Sequence, residues 1–297
     1  MQMNNNCNNC PRECGIDREA SLGFCGCGKK IKVARAALHF WEEPCISGIN
    51  GSGTVFFSGC TLRCCYCQNY LISSEGFGKE ISVERLSEIF LELQTKGAHN
   101  INLVTATQYI SDVLRALDMV KTKLQIPVVY NCGGYERVET IRTLKGYVDI
   151  YLPDFKYNSN DLAKKYSGAD NYFEIATEAI KEMIDQTDGM VYDKNNTLQK
   201  GVIIRHMVLP GARNDSIAIL NWINEFLPRG KYLLSLMSQY TPTIKSCEHK
   251  EINRKITTFE YNSVVNEAIR LGLTNCFIQQ RSSANIDYTP LFDFEGI

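Results

Sequence analysis

The chain has 297 residues, 44% of them apolar, with 32 basic and 33 acidic side chains. That length supports one large core with a small appendage, and the composition is neither disordered nor membrane-like. A formal net charge of −1 gives no electrostatic case for binding nucleic acid, and no apolar run is long enough for a membrane-spanning helix.

The opening Met1-Gln-Met-Asn-Asn-Asn has neither the basic nor the apolar region of a secretory signal, so a cytoplasmic location is expected. Residues 1–30 are rich in Cys, Gly and Asn and poor in apolar periodicity. A core built from them would be too small, which makes metal the expected organiser. Of the 13 cysteines, ten precede residue 68, and in a reducing compartment such clustering points to metal rather than disulfides. Cys7, Cys10, Cys14, Cys25 and Cys27 form the first group. Four thiolates suit either a structural zinc or a second [4Fe-4S] cluster, with a set of free thiols as the alternative; if Cys7, Cys10, Cys14 and Cys25 are the four, Cys27 is spare. Residues 31–53 read as a connector docking on the main domain. The expected division is therefore 1–53, Cys-rich segment and connector, and 54–297, the main domain.

Strands are expected at 54–58, 101–105, 127–131, 148–153, 201–209 and 232–237, with a short apolar segment at 276–279. Helices are expected over 82–95, 109–123, 137–144, 160–184, 215–226 and 259–271. Ser82 caps the first of these, and Leu86, Ile89, Phe90 and Leu93 share its face. Strands alternating with helices imply right-handed βαβ units and a parallel sheet. Six units fall short of the eight of a closed barrel, so the expected fold is α/β, a partial (β/α)6 TIM-type barrel with a small Cys-rich N-terminal segment.

Directly after the first strand comes Phe57-Ser-Gly-Cys60-Thr-Leu-Arg-Cys64-Cys65-Tyr66-Cys67. The spacing is C-x3-C-x2-C, at a strand's C-terminal end, where parallel α/β folds place active sites. Three thiolates on three irons of a cubane leave the fourth iron open to chelate the amino and carboxylate groups of S-adenosylmethionine (SAM). A ferredoxin-type electron carrier spends four thiolates and has no open iron. Cys65 falls outside the pattern and is read as a packing residue.

This segment resembles the signature of the radical SAM superfamily. Further stretches extend the resemblance to the pyruvate formate-lyase activating enzyme type, especially its PflX-like group. They are Cys7-x2-Cys10-Pro-Arg-x-Cys14, Val33-Ala-Arg-Ala-Ala-Leu-His39-Phe, Gly51-Ser-Gly-Thr-Val-Phe-Phe-Ser-Gly-Cys60, Tyr130-Asn-Cys-Gly-Gly-Tyr135-Glu, Asp149-Ile-Tyr-Leu-Pro-Asp154-Phe-Lys156 and Arg205-His206-Met-Val-Leu-Pro210-Gly211. The resemblance implies that Cys60, Cys64 and Cys67 hold a [4Fe-4S] cluster and that Tyr66 packs beside the SAM adenine. Where the family carries a Gly-Gly-Glu element for the SAM amino group, this chain has Val104-Thr105-Ala-Thr107-Gln108. The Thr105 and Thr107 hydroxyls, with backbone carbonyls, are the candidate substitutes there, and a plain helix cap is the rival role for Thr107. Asn131, before two glycines, is a candidate contact to the ribose or carboxylate, against a plain strand-to-helix turn. Asp154 and Lys156 alternate along one strand, so both face one way, and they match the activase Asp-x-Lys near SAM and the substrate peptide. Only one of Arg205 and His206 points inward; His206 is the expected SAM contact, against a buried, hydrogen-bonded structural histidine.

The expected function is reductive cleavage of SAM to a 5′-deoxyadenosyl radical that abstracts a substrate hydrogen, in an anaerobic oxidoreductase that activates a glycyl-radical enzyme. Modification of a small molecule or peptide is the alternative substrate class, and a non-catalytic iron–sulfur or zinc protein the alternative outside catalysis. Expected partners are an electron donor such as flavodoxin or ferredoxin and a protein substrate, with no nucleic acid and no membrane.

Overall fold

The computed structural model describes residues 7–280 and 289–297. In chain order the elements are β1 (Ile31–His39), α1 (Pro44–Ser47), β2 (Ser52–Phe57), α2 (Tyr70–Ser73), β3 (Lys79–Ile81), α3 (Val83–Thr95), β4 (Ile101–Val104), α4 (Ile110–Val120), β5 (Val128–Cys132), α5 (Val138–Thr143), β6 (Ile150–Pro153), α6 (Asn160–Ser167), α7 (Tyr172–Thr187), β7 (Val191–Tyr192), β8 (Leu198–Met207), α8 (Arg213–Phe226), β9 (Leu233–Met237), α9 (Thr258–Arg270) and β10 (Cys276–Ile278). One sheet runs β10-β9-β8-β6-β5-β4-β2-β1-β3, with β7 against β8. From β2 to β10 successive neighbours along this path are parallel. This is the expected mixed α/β fold with a partial-barrel parallel sheet.

The residues dictate these elements in familiar ways. β2, β4, β5 and β6 are buried along their whole length, as befits parallel strands covered on both faces. Ser82 Oγ accepts from the Arg85 amide and starts α3, whose Leu86, Ile89, Phe90 and Leu93 are buried. Thr257 and Glu260 form a reciprocal capping box on α9. The helical stretch expected over 160–184 is two helices: Gly168, in the left-handed region at φ 61°, ends α6.

The connector expected at 31–53 does more than dock. Its β1 pairs antiparallel with β2 and β3, because Val33, Ala34, Ala36 and Ala37 are buried in the sheet. Its α1 buries Cys45 and Ile46 among Val129, Ile150, Ile203 and Leu233. These lie toward the strands' N-terminal ends, so α1 plugs that end of the barrel. Among the described residues no helix is long and apolar enough to cross a membrane.

Candidate active site

Buried β2 delivers the chain to Gly59, whose φ of 85° favours glycine. The Gly59 amide donates to Ile72 O at 2.8 Å and the Cys65 amide to Tyr166 O at 2.8 Å. Gln108 braces the loop from the next strand end: its Nε2 donates to Ser58 O, Gly59 O and Thr105 O. The loop opens on a cavity of about 660 Å³ lined by Cys64, Tyr66 and Cys67, by Asn131, Asp154, Lys156 and Arg205, and by Glu42 and Glu43 before α1.

The three thiols lie in one another's electrostatic field. Ser167 Oγ donates to Cys64 Sγ at 2.9 Å and Ser73 Oγ to Cys67 Sγ at 3.3 Å. Burial pushes the Cys67 thiol up to about 12, so a thiolate there calls for a cation. Among the described residues no three Cys, His or carboxylate side chains gather around one metal ion. A cubane does not ask for that, since each thiolate takes a different iron. On donor chemistry and grouping, the three thiols fit a [4Fe-4S] cluster. Cys65 is outside the cavity lining, its carbonyl accepting from Thr243 Oγ1 at 2.8 Å.

A family model described as the radical SAM superfamily matches residues 54–220. The chain belongs to the radical SAM superfamily. Its members bind a [4Fe-4S] cluster and SAM and cleave SAM by radical chemistry. Among curated proteins this radical SAM chain is 31% identical over 278 residues to the uncharacterized protein MJ0674 of Methanocaldococcus jannaschii, covering 90% of this chain and 75% of the relative. Among solved structures it resembles HydG, a maturase of the [FeFe]-hydrogenase, at 13% identity and TM-score 0.52, over 80% of this chain and 53% of HydG. Streptococcus suis SuiB bound to SAM is similar at 13% identity and TM-score 0.47, over 74% of this chain and 47% of SuiB. The chain thus spans about half the length of these structures.

Asp154, Lys156 and Asn131 line the cavity together. Lys156 Nζ donates to Asp154 Oδ2 at 2.6 Å, and Arg205 binds Asp154 Oδ1 through Nε at 2.9 Å and Asn131 Oδ1 through Nη2 at 2.6 Å. Burial disfavours the Asp154 carboxylate, but Arg205 and Lys156 outweigh it and hold its pKa below the usual range. Burial likewise opposes the Lys156 charge, and Asp154 more than restores it. Tyr66, 4% exposed, shares a 2.5 Å hydroxyl contact with Tyr157 and packs edge-on against Tyr157, Tyr166 and Tyr240.

Two expectations about side-chain direction are corrected. His206 points away from the cavity, Nδ1 to Phe155 O at 2.7 Å and Nε2 to Ser216 Oγ of α8 at 2.8 Å. Burial lowers its pKa to about 4, so it is neutral near pH 7. The phase of β8 decides this: Phe155 N donates to Arg205 O at 2.7 Å, and Arg205 is the inward residue. Thr107 also turns away, its hydroxyl sharing Tyr130 OH at 2.8 Å and donating to Glu136 Oε1 at 3.0 Å. Neither Thr105 nor Thr107 lines the cavity. Thr105 sits at φ 59°, a strained value for a β-branched residue, and its carbonyl already accepts from Gln108.

The N-terminal cysteines lie behind the cluster loop. Cys14 and Cys25 Sγ both flank Gly23, and Cys10 lies in the field of both. The Cys7 amide donates to Ile16 O, and Cys7 O accepts from Gly15. Cys27 lies against the loop, its Sγ 3.3 Å from Ser58 O. Arg12 joins the two regions, donating to Thr61 O at 2.8 Å and Gly168 O at 2.5 Å.

Sequence reasoning missed Glu42, Glu43 and Gln108, and chose His206 over Arg205. The signal for the first two was present as adjacent acids before Pro44, at the end of a mostly apolar run.

Proposed function

We propose that this chain takes a hydrogen atom from a substrate admitted to the cavity between the cluster loop and α1. The observation carrying this reading is that one cavity joins Cys64 and Cys67 to a buried charged wall of Asp154, Lys156 and Arg205. When bound, the cluster and SAM supply electron transfer and the 5′-deoxyadenosyl radical. Lys156, fixed by Asp154, sets a positive charge beside the thiols, which favours the negative charge of a thiolate-bound cluster. Tyr66 and its tyrosine neighbours close one side against water; Asn131 and Arg205 offer directional polar contacts. Such positioning holds a target bond close to the point where a radical forms.

Activation of a glycyl-radical protein is the second reading, favoured by the Asp154–Lys156 pair standing where the activases carry Asp-x-Lys. A second metal at the N-terminal cysteines is part of the proposal: Cys14 and Cys25 flank Gly23 and Cys10 lies in their field, a spread that suits a cluster with one iron per thiolate better than a single zinc ion. A flavodoxin- or ferredoxin-type donor would supply the electron.

The test is anaerobic reconstitution with iron and sulfide, reduction with dithionite and assay for 5′-deoxyadenosine. Its formation is expected; none from protein with a full cluster complement sinks the reading. Deuterium passing into 5′-deoxyadenosine from a labelled candidate, or a glycyl radical signal on a partner protein, separates the substrate classes.

A further inference from the structure

The end of the cavity next to α1 carries chemistry that SAM cleavage does not use. Glu42 and Glu43 stand between the apolar plug of α1 and the cavity. Glu42 is fully engaged: Oε1 accepts from Asn102 and Asn131, and Oε2 from Arg205. Glu43 differs. It is 8% exposed, it lines the cavity, and its Oε2 has no hydrogen-bond partner. Ionised, the unpaired Glu43 oxygen is an acceptor, so this end of the cavity is suited to a hydrogen-bond donor that brings a positive charge.

Charge points the same way. Glu42, Glu43 and Asp154 are three carboxylates sharing the site with two cations, Arg205 and Lys156. Both cations are spent, Lys156 on Asp154 and Arg205 on Asp154 and Glu42. Among the described residues no cation forms an ion pair with Glu43. A buried carboxylate is costly unless paired; burial pushes Glu43 above the usual carboxylate range, and the field of Arg205 and the Ser235 hydroxyl offset this only in part. A single free oxygen matches the compact ammonium charge better than the planar guanidinium fork, which seeks two oxygens of one carboxylate. The charged chain Lys156–Asp154–Arg205–Glu42 leads from the thiols to this end of the cavity.

We propose that Glu43 is the docking point for the substrate's head group, a primary ammonium on an alkyl arm that runs up the cavity toward Cys64 and Cys67. This rests on the hydrogen-abstraction reading and names its substrate class. A free alkylamine and a lysine side chain share the head group.

Saturation-transfer NMR on the full-length, anaerobically reconstituted protein tests it with n-butylammonium, n-butanol and butyrate. The ammonium is expected to bind about tenfold or more tighter than the alcohol, and butyrate not to bind. Acetyl-Gly-Lys-Gly-amide runs beside n-butylammonium, and the tighter of the two names the source. Glu43→Gln is expected to remove the preference for the ammonium. Equal binding of n-butanol, or unchanged ammonium preference in Glu43→Gln, overturns the proposal. Circular dichroism checks the fold of the variant; if it does not fold, the wild-type preference alone decides. Binding is read without turnover, so failure of SAM cleavage is a separate result.

Discussion

Two regions of this molecule are dense in cysteine, and they are built on opposite plans. Cys60, Cys64 and Cys67 sit on a loop whose backbone is pinned by the sheet and helix layers: Gly59 to Ile72, Cys65 to Tyr166, and Gln108 across to Ser58 and Gly59. The segment from Cys7 to residue 30 has no helix or strand among its described residues. Side chains clamp it instead. Arg12 reaches Thr61 and Gly168, Arg137 reaches Asn8 O at 3.0 Å, and Thr140 reaches Asn9 O at 2.8 Å. The scaffold organises the first set of thiols before any metal arrives. The second set depends on side-chain clamps and, on the proposal above, on a metal of its own.

The sharpest way to break this comparison is to remove one thiol from each region. Cys64→Ala is expected to drop 5′-deoxyadenosine formation to background, because a cubane left with two protein thiolates is not held. Cys7→Ala is expected to keep the first cluster's absorbance and measurable SAM cleavage. Background activity in both variants would mean that the regions do not function separately.

Next in size is the seam where they touch. At Gly59 an added Cβ would overlap Cys27 Sγ and crowd Cys25 O, and φ is 85°. Gly59→Ala is expected to cost about 2–4 kcal/mol, about 1 from the backbone and the rest from overpacking. Cys27→Gly in the same chain removes the clashing sulfur, so the double variant should be less unstable than additivity gives. Strict additivity in urea unfolding would show that the two regions do not press on each other there. Arg12→Ala follows, at about 1–3 kcal/mol for its lost hydrogen bonds to partly buried carbonyls. Limited proteolysis should then cut first within residues 7–30; cleavage elsewhere at equal rate would count against the clamp.

The same contrast explains what the sequence discloses. The parallel strands and the position of the thiol loop are legible because long alternation and a strand-end motif carry them. β1 was hidden in the connector, since a strand that pairs antiparallel on both sides lacks the βαβ rhythm. Between Arg205 and His206, alternation says that one faces inward, but only the pairing of β8 with the chain around Asp154 fixes which. Glu42 and Glu43 fall in a short link whose role, plugging one end of a partial barrel, exists only once the sheet has curled around it. Thr107 looked like a stand-in for a missing acid, yet Glu136, 29 residues on, claims its hydroxyl.

Glu136 supplies the smallest prediction, at the same seam. Its carboxylate is buried, holds Thr107 and Tyr130, and lies in the field of Cys10. Burial pushes its pKa up to about 8, the hydrogen bonds opposing; unfolded, a glutamate titrates near about 4.3. Between these values the folded chain keeps a proton that the unfolded chain has released, so stability falls as pH rises. The contribution is complete below the unfolded value and lost by the time pH passes about 8. From pH 7 to 8 that loss is at most about 1.4 kcal/mol for one group. Cys10, pushed up to about 12 by burial, does not titrate in this range. Urea unfolding at pH 6.5, 7.5 and 8.5 should therefore show wild type losing stability relative to Glu136→Gln, with the gap levelling above pH 8. Parallel curves would mean that Glu136 is ionised at neutral pH and that the seam beneath the Cys-rich segment is wetter than its packing implies.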